Sequence, residues 1–145
     1  MGVLSDYAES GFINWIFRAN SNSFTRPTGI ALALCRNVPS ESQTGATIPE
    51  VSNAGAYARL PIAQNNSNWV EYTQVATSGF SENVSDLLFT TASADWGMVS
   101  GWAIVDSASY GTGNVWMCSS FPTARDIKSG DAVVIRAGSL DIYVG

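Results

Sequence analysis

Histidine is missing from this 145-residue chain and lysine occurs once, as Lys128. Without an imidazole there is no Ser-His or Cys-His nucleophile pair, no His-ligated zinc, and no side chain that ordinarily titrates between pH 5 and 8. The two cysteines, Cys35 and Cys118, are too few for a zinc cage. Gly111-Thr112-Gly113 lacks the following glycine and helix of a phosphate-binding loop, and Lys128 stands far from it. No apolar run approaches the ~20 residues that cross a bilayer. Charged residues make up only 13%, about half the usual share. The expectation is a non-enzymatic protein with no metal, no cofactor and no membrane to bind.

A glycosidase needs just two carboxylates, so spacing alone leaves that route open. Its candidate acids give it little support. Asp95, Asp106, Asp126 and Asp131 stand at expected strand ends or turns, where an aspartate bonds nearby backbone amides. Asp126 and Asp131 flank a tight turn, but the alternating oxygen ligands of a calcium loop are missing.

What is present is apolar. Hydrophobic residues reach 46% and aromatics 11%, enough for a core, and 145 residues is the size of one domain, taken as 1–145. Ser, Thr, Asn and Gly replace the missing charges. Burying a surface means desolvating its charges, so a chain that packs against neighbours is expected to be poor in Lys and Glu. The net charge of −5 offers no footprint for nucleic acid. The start, Met1-Gly2-Val3-Leu4-Ser5-Asp6, has neither a basic nor an apolar leader, and Asp6 stands where a myristoylation motif wants Ser or Thr. That suggests a cytoplasmic origin and two buried free thiols rather than a bridge. The sequons at Asn65 and Asn83 therefore carry no weight.

Leu4, Tyr7, Ala8, Gly11, Phe12, Trp15 and Ile16 recur at helical spacing. They predict a helix over 4–18 with a buried aromatic stripe, opened by a capping box of Asp6 and Glu9. From Gly29 the period becomes two: Ile30, Leu32 and Leu34 on one face, Ala31, Ala33 and Cys35 on the other. Residues 37–55 lack periodicity and read as a long contact-bearing loop. Further strands are expected at 56–63, 69–75, 84–89, 98–105, 114–118, 132–137 and 140–144, separated by turn residues. About eight strands and one short N-terminal helix make an all-β antiparallel sandwich or jelly roll.

Several segments are similar, in order and spacing, to those of a family of small virion structural proteins of tailed, cyanophage-like bacteriophages. They are Leu4-Ser5-Asp6-Tyr7-Ala8-Glu9; Pro27-Thr28-Gly29-Ile30-Ala31-Leu32-Ala33-Leu34; Pro49-Glu50-Val51; Gly55-Ala56-Tyr57-Ala58-Arg59; Trp96-Gly97-Met98-Val99 with Ile104-Val105-Asp106; and Gly130-Asp131 with Ala137-Gly138-Ser139-Leu140-Asp141-Ile142. The chain departs from the pattern at Ser107-Ala108-Ser109-Tyr110 and at Cys118. The resemblance implies a β-sandwich in the virion. Its leading role would be a capsid cement or decoration protein on the capsid outer surface, assembled in the host cytoplasm and bridging major capsid protein subunits as a homotrimer. Its alternative would be a tail-fibre or tail-associated module that binds a host glycan. Cement leads because neither a fibrous repeat nor an attachment segment is visible.

Candidate assembly residues are Trp15, Arg26, Arg36, Glu50, Arg59, Trp69 and Trp96. The arginines would make charge-assisted contacts at subunit joints or, equally, surface ion pairs. Trp69 and Trp96, beside turns, are expected to be the most exposed tryptophans, suited to core packing or a protein interface ahead of a sugar platform. Trp102, alternating with Ser100 and Ile104, is expected in the core.

Overall fold

The computed structural model describes residues 3–18 and 24–144. Among these residues ten strands and one helix follow in chain order: β1 (Val3–Leu4), α1 (Asp6–Phe17), β2 (Ile30–Cys35), β3 (Leu60–Ile62), β4 (Thr73–Val75), β5 (Ser78–Glu82), β6 (Leu87–Leu88), β7 (Gly97–Val105), β8 (Val115–Ile127), β9 (Val134–Ile135) and β10 (Asp141–Val144). All pairings are antiparallel: a five-stranded sheet ordered β1-β8-β7-β2-β3, a three-stranded sheet β10-β5-β4, and the pair β6-β9. The fold is all-β with a single short helix, as the patterning implies.

Strand β2 lies between β7 and β3, and its two faces do different work. Leu32 and Leu34 are fully buried in the main core with Trp102, Ile104 and Met117 of the same sheet and Val51, Tyr57, Phe89, Trp96, Ile135 and Leu140 from elsewhere. Each such side chain contributes about 1.5–3 kcal/mol by leaving water. On the opposite face, Ala31, Ala33 and Cys35 join Ala103, Val105, Val115, Cys118 and Ile48 in a second cluster of small side chains. Small residues there let a loop backbone come close. A Cβ at Gly101 would sit 2.9 Å from Asn37 O, Val38 Cα and Pro39 Cδ, so the start of the 37–55 loop runs directly over this face.

That loop is ordered by its own bonds. Arg36 N donates to Pro49 O (2.8 Å), Val51 N to Leu34 O (3.0 Å), and Cys35 and Glu50 form an isolated antiparallel bridge. Its middle is closed at Gly45, whose N–H donates to Gly113 O (2.9 Å). Both thiols are free and buried, as expected for packed small hydrophobes.

Several expected boundaries shift. The helix begins at Asp6, but its cap is Ser5: Ser5 Oγ accepts from Ala8 N (3.3 Å) and donates to Val115 O. The Asp6–Glu9 box is therefore displaced by one residue. The polar run Asn20 to Ser23 lies outside the described residues. Thr77-Ser78-Gly79, expected as a turn, mostly belongs to β5, because the hairpin reverses at Ala76 and Thr77 with Ala76 at φ 54°. Strand β8 continues to Ile127, well past the expected end at Cys118. Asp95, Asp106 and Asp131 do accept backbone amides, from Ser129, Asn114 and Lys128. Asp126 instead lies within β8 and pairs with Lys128 at 3.0 Å.

Candidate functional site

Among the described residues, the contacts that fasten helix α1 to the sheet lie in its first half. Ser5 anchors the cap to β8, Asp6 N donates to Glu41 O (3.1 Å), and Ala8 is buried. Tyr7 packs edge-on to Trp116 at 5.6 Å, and Phe24 stacks on the same indole at 5.1 Å. Gly11 lets Phe24 lie against the helix: a Cβ there would fall 2.0 Å from its ring. Beyond Gly11 the large apolar side chains are exposed. Phe12, Ile13, Trp15, Ile16 and Phe17 are 50%, 53%, 62%, 47% and 74% exposed.

The expected buried stripe is thus corrected. Periodicity identified the apolar face, but among the described residues its distal half is open, because the sheet beneath covers the first two turns. The sequence held a further signal. Ile13 and Phe17 lie off the stripe, so the last turns are apolar nearly all round, and a helix of that kind is stable only when surrounded. No residue from Ser10 to Phe17 is charged.

The candidate charges divide into two groups. Arg59 and Glu50, expected at subunit joints, are instead used inside the chain, with side chains 0% and 3% exposed. All five guanidinium N–H groups are satisfied: Nε and Nη2 donate to the two Glu50 oxygens (2.9 and 2.8 Å), Nη1 to Ser107 O and Thr112 O (3.0 and 2.8 Å), and Nη2 also to Gly45 O (2.8 Å). Tyr57 adds its hydroxyl to Glu50 Oε1 (2.8 Å) and accepts from Leu34 N (3.0 Å). Burial, and then the charge of Glu50, push the Tyr57 hydroxyl far above its ordinary range. This node ties the 37–55 loop, β2 and the 107–113 turn together. Arg26 and Arg36 do lie at the surface; Arg26 Nη2 donates to Gln64 O (3.0 Å), and Arg36 packs over Gly97.

The tryptophans also divide. Trp96 is 4% exposed, meets Tyr57 edge-on at 5.3 Å and donates Nε1 to Gly55 O (2.8 Å), so of the expected roles it takes core packing and is not exposed. A turn in the sequence does not prevent its flanking side chain from pointing inward. Trp102 is buried as expected. Trp69 is half-buried and lines a surface cleft with Arg26, Gln64, Asn65, Asn66, Val70, Glu71 and Val84; its Nε1 is buried and has no hydrogen-bond partner among the described residues. Among the described residues, no group of three His, Cys, Asp or Glu side chains is placed to hold a metal ion, and no helix is long and apolar enough to cross a membrane.

A family model described as "Podophage GP4 fiber I protein gp80" matches residues 3–143. No curated protein matches the chain.

Proposed function

The chain belongs to the podophage GP4 fiber I protein gp80 family, a tailed-phage virion structural protein family, and from that membership we propose that it is a non-enzymatic building block of a tail fibre. The observation that supports this reading best is the open apolar end of α1. Five large apolar side chains on one exposed helix are costly in water, and a surface of that kind is found where another protein covers it. A structural part that is held permanently in a particle meets that condition. The buried Arg59–Glu50 node and the bonded 37–55 loop fit the same role, since they stiffen the module that presents the helix.

Capsid cement is the competing reading, with the major capsid protein as partner and the capsid outer surface as location. Low charge and the lack of a visible fibrous repeat favour it; the fibre description of the family favours the tail. The two differ in number. A fibre part is present in far fewer copies than the major capsid protein, whereas cement is present in comparable numbers. Quantitative mass spectrometry of purified particles separates them, and a copy number matching the capsid protein would overturn the fibre reading.

A second property follows from the cleft beside Trp69. Amide side chains at Gln64, Asn65 and Asn66, an aromatic wall, and charges of both signs at Arg26 and Glu71 are the donor, acceptor and stacking groups that hold a sugar. Host-glycan binding by the fibre would use this cleft. Trp69→Ala is expected to weaken adsorption to host cells while leaving the protein folded. Trp96→Ala would destabilise the core instead.

A further inference from the structure

We infer that the cleft beside Trp69 is one half of a longer groove, which holds an interior stretch of an uncharged glycan chain rather than a single terminal sugar. The inference rests on the glycan reading of that cleft given above and adds the length and charge of the ligand. The Trp69 cleft encloses about 610 Å³. A second cleft, of about 840 Å³, is lined by residues 26–30 and 61–64, around the Ile30–Ile62 end of the β2–β3 ladder. Arg26 and Gln64 line both, and the bond from Arg26 Nη2 to Gln64 O (3.0 Å) joins the walls where the two clefts meet. A pocket of ~300–1,000 Å³ takes one small ligand, so two in line suit a chain of several sugar units that crosses Arg26.

The chemistry of the lining selects the ligand class. Trp69 Nε1 is buried, so what the indole offers the cleft is ring carbon, a stacking surface. Asn65 Oδ1 accepts from Ser67 N (3.0 Å) and Asn68 N (3.1 Å), and Trp69 N donates to Asn65 O (3.2 Å), so this wall is formed before a ligand arrives. Among the described residues, the side chains of Gln64, Asn66 and Glu71 make no hydrogen bond, and Arg26 uses one of its five N–H groups. Donors and acceptors thus remain for sugar hydroxyls. Arg26 and Glu71, one of each sign, are the charged residues among those lining the two clefts, and the chain carries a net charge of −5. A polyanion would be repelled overall and a polycation would meet Arg26 midway, which leaves an uncharged chain. A peptide strand fits poorly. Strand β3 is the edge of its sheet, but Pro61, paired with Ala31, has no N–H. It therefore occupies the position whose backbone faces away from β2, and the open edge there offers a carbonyl without a donor. An added strand needs both.

The test is calorimetric binding of the purified full-length chain to neutral polysaccharide from the envelope of a cell that adsorbs the particle, supplied as size-fractionated oligomers and as single sugars. Affinity is expected to rise at least about tenfold from single sugar to oligomer. Gly29→Phe separates the two halves of the groove. A Cβ at Gly29 meets nothing within 4 Å, so the added ring has room and fills the second cleft. This variant is expected to keep the wild-type circular dichroism spectrum and to bind oligomers no better than single sugars. Should it fail to fold, Thr28→Phe on the same wall is expected to give the same loss. Trp69→Ala is expected to weaken binding at every length. Equal affinity for single sugars and oligomers, or oligomer binding untouched by either phenylalanine, overturns the inference while leaving the Trp69 reading intact. A preference for an acidic polysaccharide or for an extended peptide also overturns it. Binding to no glycan at all overturns both.

Discussion

At the scale of single residues, the most consequential feature is the Arg59–Glu50 node. Removing one partner of a buried, fully bonded pair leaves the other charge uncompensated, which typically costs about 3–5 kcal/mol. Arg59→Ala is therefore expected to lower unfolding free energy by about that amount in urea titrations, and Arg59→Lys to recover little of it. A lysine has three donors on a mobile stem where the site uses five in a plane. The thiols give a second prediction. Burial, then the charge of Glu50, raise Cys35 far above its usual range, and burial, then Glu41, raise Cys118. Both should resist a thiol reagent at neutral pH and react only after unfolding. Asp86 and Asp95 act in the opposite direction: bonds from Ala137 N and Arg136, and from Ser129 N and Lys128, hold both carboxyls below their ordinary 3.8. A lowered folded value stabilises above the ordinary value and is lost as pH falls through the folded one. The acid limb of the stability curve should therefore begin as pH drops toward 3.8, and Asp86→Asn should make it shallower. None of these partnerships could be read from the sequence. Arg59 and Arg36 look alike as isolated arginines, and only the return of the 37–55 loop over β2 separates the buried one from the exposed one.

At the scale of elements, legibility followed burial. Strand β2 was readable to the residue because each of its faces is buried against something different, and the alternation of large and small side chains records both. The far end of β8 was not. Residues 119–126 are mostly polar and exposed, and Pro122 sits in a register shift where four residues of β8 oppose Ser100. No ladder N–H is needed there, so proline is tolerated and the usual strand signal is lost. Strand β5 was hidden for a related reason, since Ser78-Gly79 has turn chemistry but pairs with β4 and β10. Loop 37–55 was visible only as a gap in the pattern. Its order depends on close backbone approach, and a Cβ at Gly45 would lie 2.0 Å from Thr112 O. Gly45→Ala is expected to displace the 107–113 turn from Arg59, seen as faster amide exchange in both segments. For α1, Ser5→Ala removes the cap and the bond to Val115 O, a loss of about 1–2 kcal/mol.

At the scale of the whole molecule, the scarcity of charge and the absence of histidine pointed from the start to a protein that packs against others. The structure relocates where that packing would occur. Four of the seven candidate assembly residues, Trp15, Arg26, Arg36 and Trp69, reach the surface; Glu50, Arg59 and Trp96 are internal. The proposed assembly surface lies on residues the sequence had assigned to the chain's own core. A helical stripe reports that a face must be covered, and it is silent on whether the same chain covers it.

The central claim, a virion part assembled through α1, is tested most directly by counting copies of the chain in purified particles that carry either the wild type or Ile13→Glu/Phe17→Glu. The account predicts the wild type at a copy number well below that of the major capsid protein, and the variant, though folded, missing from the particles. Particles that take up the variant at undiminished copy number, or that never contain the wild type, would contradict it.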